Sequence, residues 1–513
     1  MLLSYLPAIS SLDRVQEQDQ TKSATGQAGP LSRFFLLSFG YVAFRFLLSP
    51  LRTRILTEIL PKDLYGSLTL AVMTLTFIST LSSLGGFEFL VRRLPGLPPP
   101  LQKGWLRLLL IRLALPGWFV AGALAAVAKS AGWIPALSAA DLVLLWIGLG
   151  LTSWLLYRVF FSLGCGDLVR VRGIQMFQND LWFIGIVAAG SWAATSLTNS
   201  LWVWTAWLAA TAIGLRFWKR LPAATTRPPE SLRAVIHYGA PLLPMICGEI
   251  LFRLADRYVL LGFCDMGTVA EYTLCMNVAM MVYVMGASLL DMTIPSLYAA
   301  RNRRTLEQGT GPTNEMREVF GAMMRHVWGV GLPAGVALCF FHRDIFAIVS
   351  GPAFRDASAL LPSMAFIPLA FLSVTAVSRA LLALDRPRWV GGATFAAAIL
   401  NLALDFVTVP RWGAIGAAMA TLFSMVALAV SLGWVLGWRS WVRRADLRPG
   451  AIAAATLACS AGFAVLRWGF PDMSPWLRLP AAGLLAVAAL WGTRIFSSRD
   501  VLALRGAPAP ESD

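Results

Sequence analysis

The sequence predicts an all-α polytopic membrane protein with about fourteen transmembrane helices. Composition, recurring apolar runs and the placement of basic residues carry that prediction. The chain has 513 residues, of which 57% are hydrophobic and 14% charged, whereas a soluble globular protein carries roughly a quarter charged residues. Apolar runs of about 20 residues, the length that matches the ~30 Å hydrocarbon core of a bilayer, recur between short polar joints. The alternating pattern of a membrane barrel does not occur in them, and lipid does not tolerate unpaired backbone, so the runs read as helices.

Taken in order, residues 1–30 read as a flexible cytoplasmic tail. They are polar and mixed in charge, and MLLSYL has neither a basic segment before it nor a small-residue cleavage motif behind it. Six spans fill 31–217, near 34–54, 64–88, 106–127, 140–162, 174–195 and 200–217. A Pro-rich cytoplasmic linker follows at 218–233, containing RLPAATTRPPESLR. Six more spans fill 234–437, near 238–260, 269–295, 321–341, 359–382, 389–409 and 412–437. Residues 438–497 hold the last two, near 450–468 and 475–496, and 498–513 read as a second cytoplasmic tail.

With the N-terminus in the cytoplasm, Lys and Arg concentrate in cytoplasmic joints, as orientation in a membrane requires. Examples are Arg92–Arg93 with Lys103, Arg170 with Arg172, Lys219–Arg220, Arg301 with Arg303–Arg304, and Arg443–Arg444, while the joints at 191–200 and around Asp265 carry none. The net charge of +16 is therefore a topology signal spread over loops, and no nucleic-acid partner is expected. DLYGSLTLAVMTL at the start of span 2 resembles VAEYTLCMNVAMM at the start of span 8. Repeats six spans apart keep the same orientation. They predict two six-helix lobes related by a pseudo-two-fold along the membrane normal, with a pathway between them and spans 13 and 14 outside the repeat. That is the architecture of a transporter. No joint is large enough for a soluble catalytic domain, so the chain is not expected to be an enzyme.

The six cysteines lie in or beside apolar segments without a CxxC pair, and there are three histidines. This argues against a disulfide framework, a zinc site or a haem, and no cofactor is expected. The Trp residues clustered at Trp202, Trp204 and Trp207 read as interface anchors.

Ionisable residues within spans are costly and need a partner or a function. Span 7 contains EILFRLADRY, which sets Glu249, Arg253, Asp256 and Arg257 on one helical stripe. The stripe either neutralises itself as structural ion pairs, lines a central cavity, or is held in a buried interface; the cavity is the favoured reading. Arg45 stands near the middle of span 1, either as partner to a carboxylate such as Glu249 or as a contact for an anionic ligand. Arg158 and Arg379 lie toward span ends, where snorkelling explains them. Asn401 and Asp405 share a face of span 11, and Asn179 and Asp180 open span 5.

Three patches resemble the polysaccharide-transporter branch of the multidrug/oligosaccharidyl-lipid/polysaccharide (MOP) exporter superfamily, the Wzx-type flippases. RILTEILPKDLYGSLTLA (54–71) is similar to the family's first loop, and residues 241–279 are similar to its seventh and eighth spans, including the Asp256–Arg257 pair. Residues 380–424 are the closest, with Asn401, Pro410, Gly413, Gly416, Ala417 and Ala418 matching the pattern and Asp405 standing where the family usually has Asn. The resemblance covers roughly 35–440. It implies a flippase that moves undecaprenyl-pyrophosphate-linked oligosaccharide repeats from the cytoplasmic to the periplasmic leaflet of the inner membrane. It further implies alternating access, and a polysaccharide polymerase and chain-length proteins as partners. Arg45, Arg253 and Arg257 are then expected to meet the anion, with Glu249 as a proton-coupling carboxylate. A multidrug or cation antiporter of the same superfamily is the alternative, and a membrane polymerase or ligase a more distant one.

Overall fold

The computed structural model describes residues 30–94, 99–131, 137–165, 167–217, 232–305, 313–384, 386–438, 441 and 447–493. Every regular element among them is a helix. The expected tails at 1–29 and 498–513, linker residues 218–231 with Lys219–Arg220, joint residues 306–312, and Arg443–Arg444 lie outside the described residues. The chain divides into two compact units, Met1–Ile250 and Leu251–Asp513, and the division falls inside the seventh expected span.

The first unit contains α1 (Pro30–Ile59), α2 (Lys62–Ser82), α3 (Gly86–Arg93), α4 (Pro99–Leu109), α5 (Leu115–Ser130), α6 (Ala139–Gly164), α7 (Leu168–Gln175), α8 (Phe183–Ala189), α9 (Leu197–Phe217) and α10 (Leu232–Gly239). Helix α6 is its spine and packs against α2, α3 and α9. It starts at a reciprocal cap. Ser138 Oγ accepts from the Asp141 N–H, and the Asp141 carboxylate accepts from the Ser138 N–H, which satisfies two donors that a helix start leaves open. Its apolar face meets Phe87, whose ring stacks on Phe160 at 4.6 Å and meets Tyr157 edge-on.

Two expected spans of this unit are interrupted by π-helical turns. Leu110–Ala114 joins α4 to α5, and Met176–Asp180 leads from α7 toward α8. Helix α1 packs against this second interrupted span. Between α2 and α3 the chain breaks at Gly85, where φ is 80°. There its backbone lies directly against that of Gly239 in α10, and a Cβ on either glycine would collide with the other segment's main chain.

Helix α11 (Leu243–Phe263) carries the division. The second unit continues with α12 (Met266–Thr305), α13 (Asn314–Phe340), α14 (His342–Val349), α15 (Leu361–Met364), α16 (Ile367–Ala383), α17 (Pro387–Leu436), α18 (Pro449–Ala464) and α19 (Pro475–Gly492). Helices α12, α13, α16 and α17 form its body. The terminal pair α18–α19 docks on α13 and α14 around Phe341, Cys459 and Phe463. An ionic clamp ties the same contact: Arg478 donates to Asp344 at 2.7 Å, and Arg467 approaches that carboxylate at 3.4 Å.

The 50 residues of α17 are two helices joined at Gly413, whose φ of 54° and ψ of −132° are not helical. Thr408 Oγ1 donates to the Gly416 carbonyl at 3.0 Å. In a straight helix residues eight apart are about 12 Å apart along the axis, so the chain folds back at Gly413. The two halves are the eleventh and twelfth expected spans.

Among the described residues, each of the fourteen expected spans lies mostly on helix. Seven helices among the described residues are long and apolar enough to cross a membrane, and nine if two bent pairs each count as one span. Part of the difference has local causes. The folded-back α17 contains two spans, α11 carries four charged side chains, and span 5 is split by its π turn.

Candidate functional site

The first unit holds a cationic cluster on α1. Tyr41, Arg45 and Arg52 stand at offsets of 0, 4 and 11, which returns to nearly the same helical azimuth. They meet Asp180, presented by the π turn. The Tyr41 hydroxyl donates to Asp180 Oδ2 at 2.9 Å, Arg45 Nε lies 3.1 Å from Oδ1, and Arg52 Nη1 lies 3.7 Å from the same oxygen. Arg52 Nη1 also donates to the Asn179 carbonyl at 2.7 Å. The Arg172 guanidinium sits over the Tyr41 ring at 5.0 Å, a cation–π arrangement. The Asp180 side chain is 3% exposed and that of Arg45 40%. One buried carboxylate thus faces two guanidinium groups, with a third cation beside its tyrosine. The carboxylate that the structure sets beside Arg45 is Asp180 in span 5.

The second unit holds an acidic cluster. Asp256 and Arg257, adjacent on α11, are both buried. Arg257 Nη1 donates to Asp256 Oδ1 at 3.0 Å and to the Arg253 carbonyl, its Nε donates to Thr273 Oγ1 at 3.2 Å, and its guanidinium lies over the Tyr272 ring. The Tyr272 hydroxyl donates to Asp256 Oδ2. Asp405 on the first half of α17 lies within the field of Asp256. It accepts from Asn401 Nδ2 at 2.8 Å, and both residues are 0% exposed.

The fold-back at Gly413 brings Thr421 and Ser424 onto the half of α17 that returns past the Thr408–Gly416 contact, and both are buried. Asn401 Oδ1, Asp405 Oδ1 and Ser424 Oγ are buried and take no hydrogen bond among the described residues, and the Thr421 hydroxyl lies beside Tyr272. Buried polar atoms are almost always paired. An acceptor-rich group with two carboxylates is suited to take up a proton or a hard cation with oxygen ligands. No group of three or more His, Cys, Asp or Glu able to hold a metal occurs among the described residues.

The span-7 stripe divides. Asp256 and Arg257 turn into the second unit, Arg253 is exposed, and Glu249 is half-buried. Arg379 also departs from expectation. At 1% exposure it is enclosed by its unit and does not reach outward to an interface. Arg158 lies over the Trp154 ring at 4.9 Å.

The fold is that of the MOP exporters, so the superfamily resemblance read from the sequence holds at the level of the fold. The chain superposes on a structure titled "Lipid II flippase MurJ, inward closed conformation" with a TM-score of 0.65, 13% identity, and coverage of 91% of this chain and 100% of that one. An inward-facing multidrug resistance MATE family transporter of the MOP superfamily gives a TM-score of 0.60, 11% identity, and coverage of 80% and 98%. In sequence the chain is 25% identical over 214 residues to a protein described as "Probable flippase AglR" from Haloferax volcanii. That match spans 40% of this chain and 41% of the relative. No protein-family profile matches.

Proposed function

We propose that this multi-pass protein is a flippase for a lipid-linked oligosaccharide carried on undecaprenyl pyrophosphate. It moves the repeat unit from the cytoplasmic to the periplasmic leaflet of the bacterial inner membrane by alternating access, both termini being cytoplasmic. The product feeds exopolysaccharide, capsule or O-antigen assembly, with a polymerase and chain-length proteins as downstream partners.

The observation that carries this reading is the excess of cations on Asp180. Placing guanidinium groups in an apolar span is costly, and one carboxylate is enough to neutralise only one of them. A second arginine on the same oxygen leaves positive charge that suits an anion with several oxygens, and arginine forks are well matched to phosphate. In this reading Arg45 and Arg52 meet the pyrophosphate. The Asp256–Asn401–Asp405 cluster is the coupling group, taking a proton or hard cation in one state of the cycle. Arg257 stays bound to Asp256 as its internal counter-ion, and Arg253 and Glu249 have lesser parts.

The test is an Arg45→Ala variant assayed for movement of fluorescent lipid-linked oligosaccharide in proteoliposomes. Normal insertion with at least tenfold slower outward movement is expected; wild-type rate would remove Arg45 from the pathway.

The acidic cluster favours a second reading, an antiporter of the same superfamily exchanging cations for an organic cation. That reading predicts proton- or sodium-driven efflux of cationic dyes that is indifferent to Arg45→Ala.

A further inference from the structure

Arg45 approaches Asp180 most closely through Nε, at 3.1 Å, and its two terminal amino groups donate no hydrogen bond among the described residues. Arg52 approaches Asp180 most closely through Nη1, which also donates to the Asn179 carbonyl. Both arginines contact the same oxygen, so Arg45 Nε and Arg52 Nη1 are no more than 6.8 Å apart, the sum of the two contacts. The carboxylate cannot swivel freely, because its other oxygen accepts from the Tyr41 hydroxyl. The π turn Met176–Asp180 holds it at a local widening of the helix, a feature common at functional sites.

We infer that Asp180 is the positioning residue of an anion receptor: it grips Arg45 and Arg52 on their inner edges so that their remaining N–H groups converge on one phosphate-class anion. The inference rests on the flippase reading for the identity of that anion, the pyrophosphate of a lipid. Asp180 does not touch the ligand. It fixes two flexible side chains whose ordering would otherwise oppose binding. Tyr41 orients Asp180 in turn.

Simple charge neutralisation predicts the opposite sign of effect. If Asp180 only offsets the arginines, its removal makes the cluster more positive and tightens anion binding. If it positions them, its removal weakens binding despite the added positive charge.

The experiment measures binding by microscale thermophoresis to the full chain in nanodiscs. The probes are undecaprenyl pyrophosphate, undecaprenyl phosphate and inorganic pyrophosphate, and the variants are Asp180→Asn, Asp180→Glu and Arg45→Lys. The expected result is at least fivefold weaker binding of undecaprenyl pyrophosphate by Asp180→Asn and by Arg45→Lys, with partial recovery in Asp180→Glu. Equal or tighter binding by Asp180→Asn overturns the inference. Arg45→Lys retains every charge and loses only the fork and its Nε anchor. It carries the test if Asp180→Asn does not fold, and wild-type affinity there overturns the inference equally.

Comparison of the lipid with inorganic pyrophosphate shows whether a headgroup or a free anion is the ligand. A wild-type protein that binds neither overturns the receptor altogether. One that binds the anion, loses it on Asp180→Asn and moves no lipid leaves the receptor standing while the flippase reading fails.

Discussion

At Arg478 one guanidinium meets four oxygens. Nη1 donates to Asp344, and Nη2 donates to the carbonyls of Phe470, Pro471 and Met473 at 2.7–3.1 Å. These three carbonyls end the turn between α18 and α19, so one side chain closes that turn and ties it to α14. Breaking a buried pair leaves the remaining charge uncompensated and costs about 3–5 kcal/mol. Arg478→Ala is therefore expected to lower the melting temperature of the solubilised protein and to open the terminal helices to protease; unchanged melting and cleavage would dismiss the clamp. Sequence reading could not supply this contact, since Arg478 stands in a span and Asp344 in what reads as a periplasmic joint, 134 residues earlier. The same limit applied at Asp180. Its cost within a span is visible from residue type alone, but its partner Tyr41 lies 139 residues away. Arg52 was hidden differently: at the polar end of span 1 it reads as an ordinary boundary arginine, although its spacing of seven from Arg45 places both on one face. Thr421 and Ser424 lie in a run of small residues that gives no polar signal.

Elements were more legible than sites, because a stretch of about 20 apolar residues states its own length requirement. The boundary between spans 11 and 12 was readable from Pro410–Arg411–Trp412–Gly413, and the chain does reverse there. What periodicity cannot register is a π turn, since one extra residue per turn leaves the apolar content unchanged. The fold-back depends on a backbone angle that residues with a Cβ rarely adopt, and Gly416 must also lack a side chain to lie against Thr408. Strain of this kind costs of order 1–3 kcal/mol. Gly413→Ala should thus lower thermal stability by that amount and weaken cation- or proton-dependent transport, while Gly214→Ala, at a helical glycine with open space around it, should change neither. Equal melting temperatures for the two variants would show that the reversal does not need glycine.

For the whole molecule, the proposed cargo carries about two negative charges, and each charge moved across 100 mV is worth ~2.3 kcal/mol. An inside-negative potential therefore favours outward movement by roughly 4–5 kcal/mol at 100 mV. Imposing such a potential on proteoliposomes should raise the outward accumulation of lipid-linked oligosaccharide, and collapsing it with valinomycin and potassium should remove that bias. Accumulation indifferent to potential would mean that the charge is compensated during passage. The fold itself does not choose between cargoes, since a lipid flippase and a multidrug transporter both superpose on it. In the proposed function that choice falls to the side chains on α1 and α17.

The reversal at Gly413 also bears on how the protein is made. Asn401 and Asp405 would be poorly tolerated in lipid as part of a lone helix, yet the hydroxyl-bearing face that accompanies them is fewer than 25 residues further along the chain. At about 5–20 residues per second of synthesis, that face follows within a few seconds. The segment that carries Asn401 and Asp405 can therefore leave the ribosome and enter the bilayer as one half of a hairpin, shielding its carboxylate before the terminal helices have been translated.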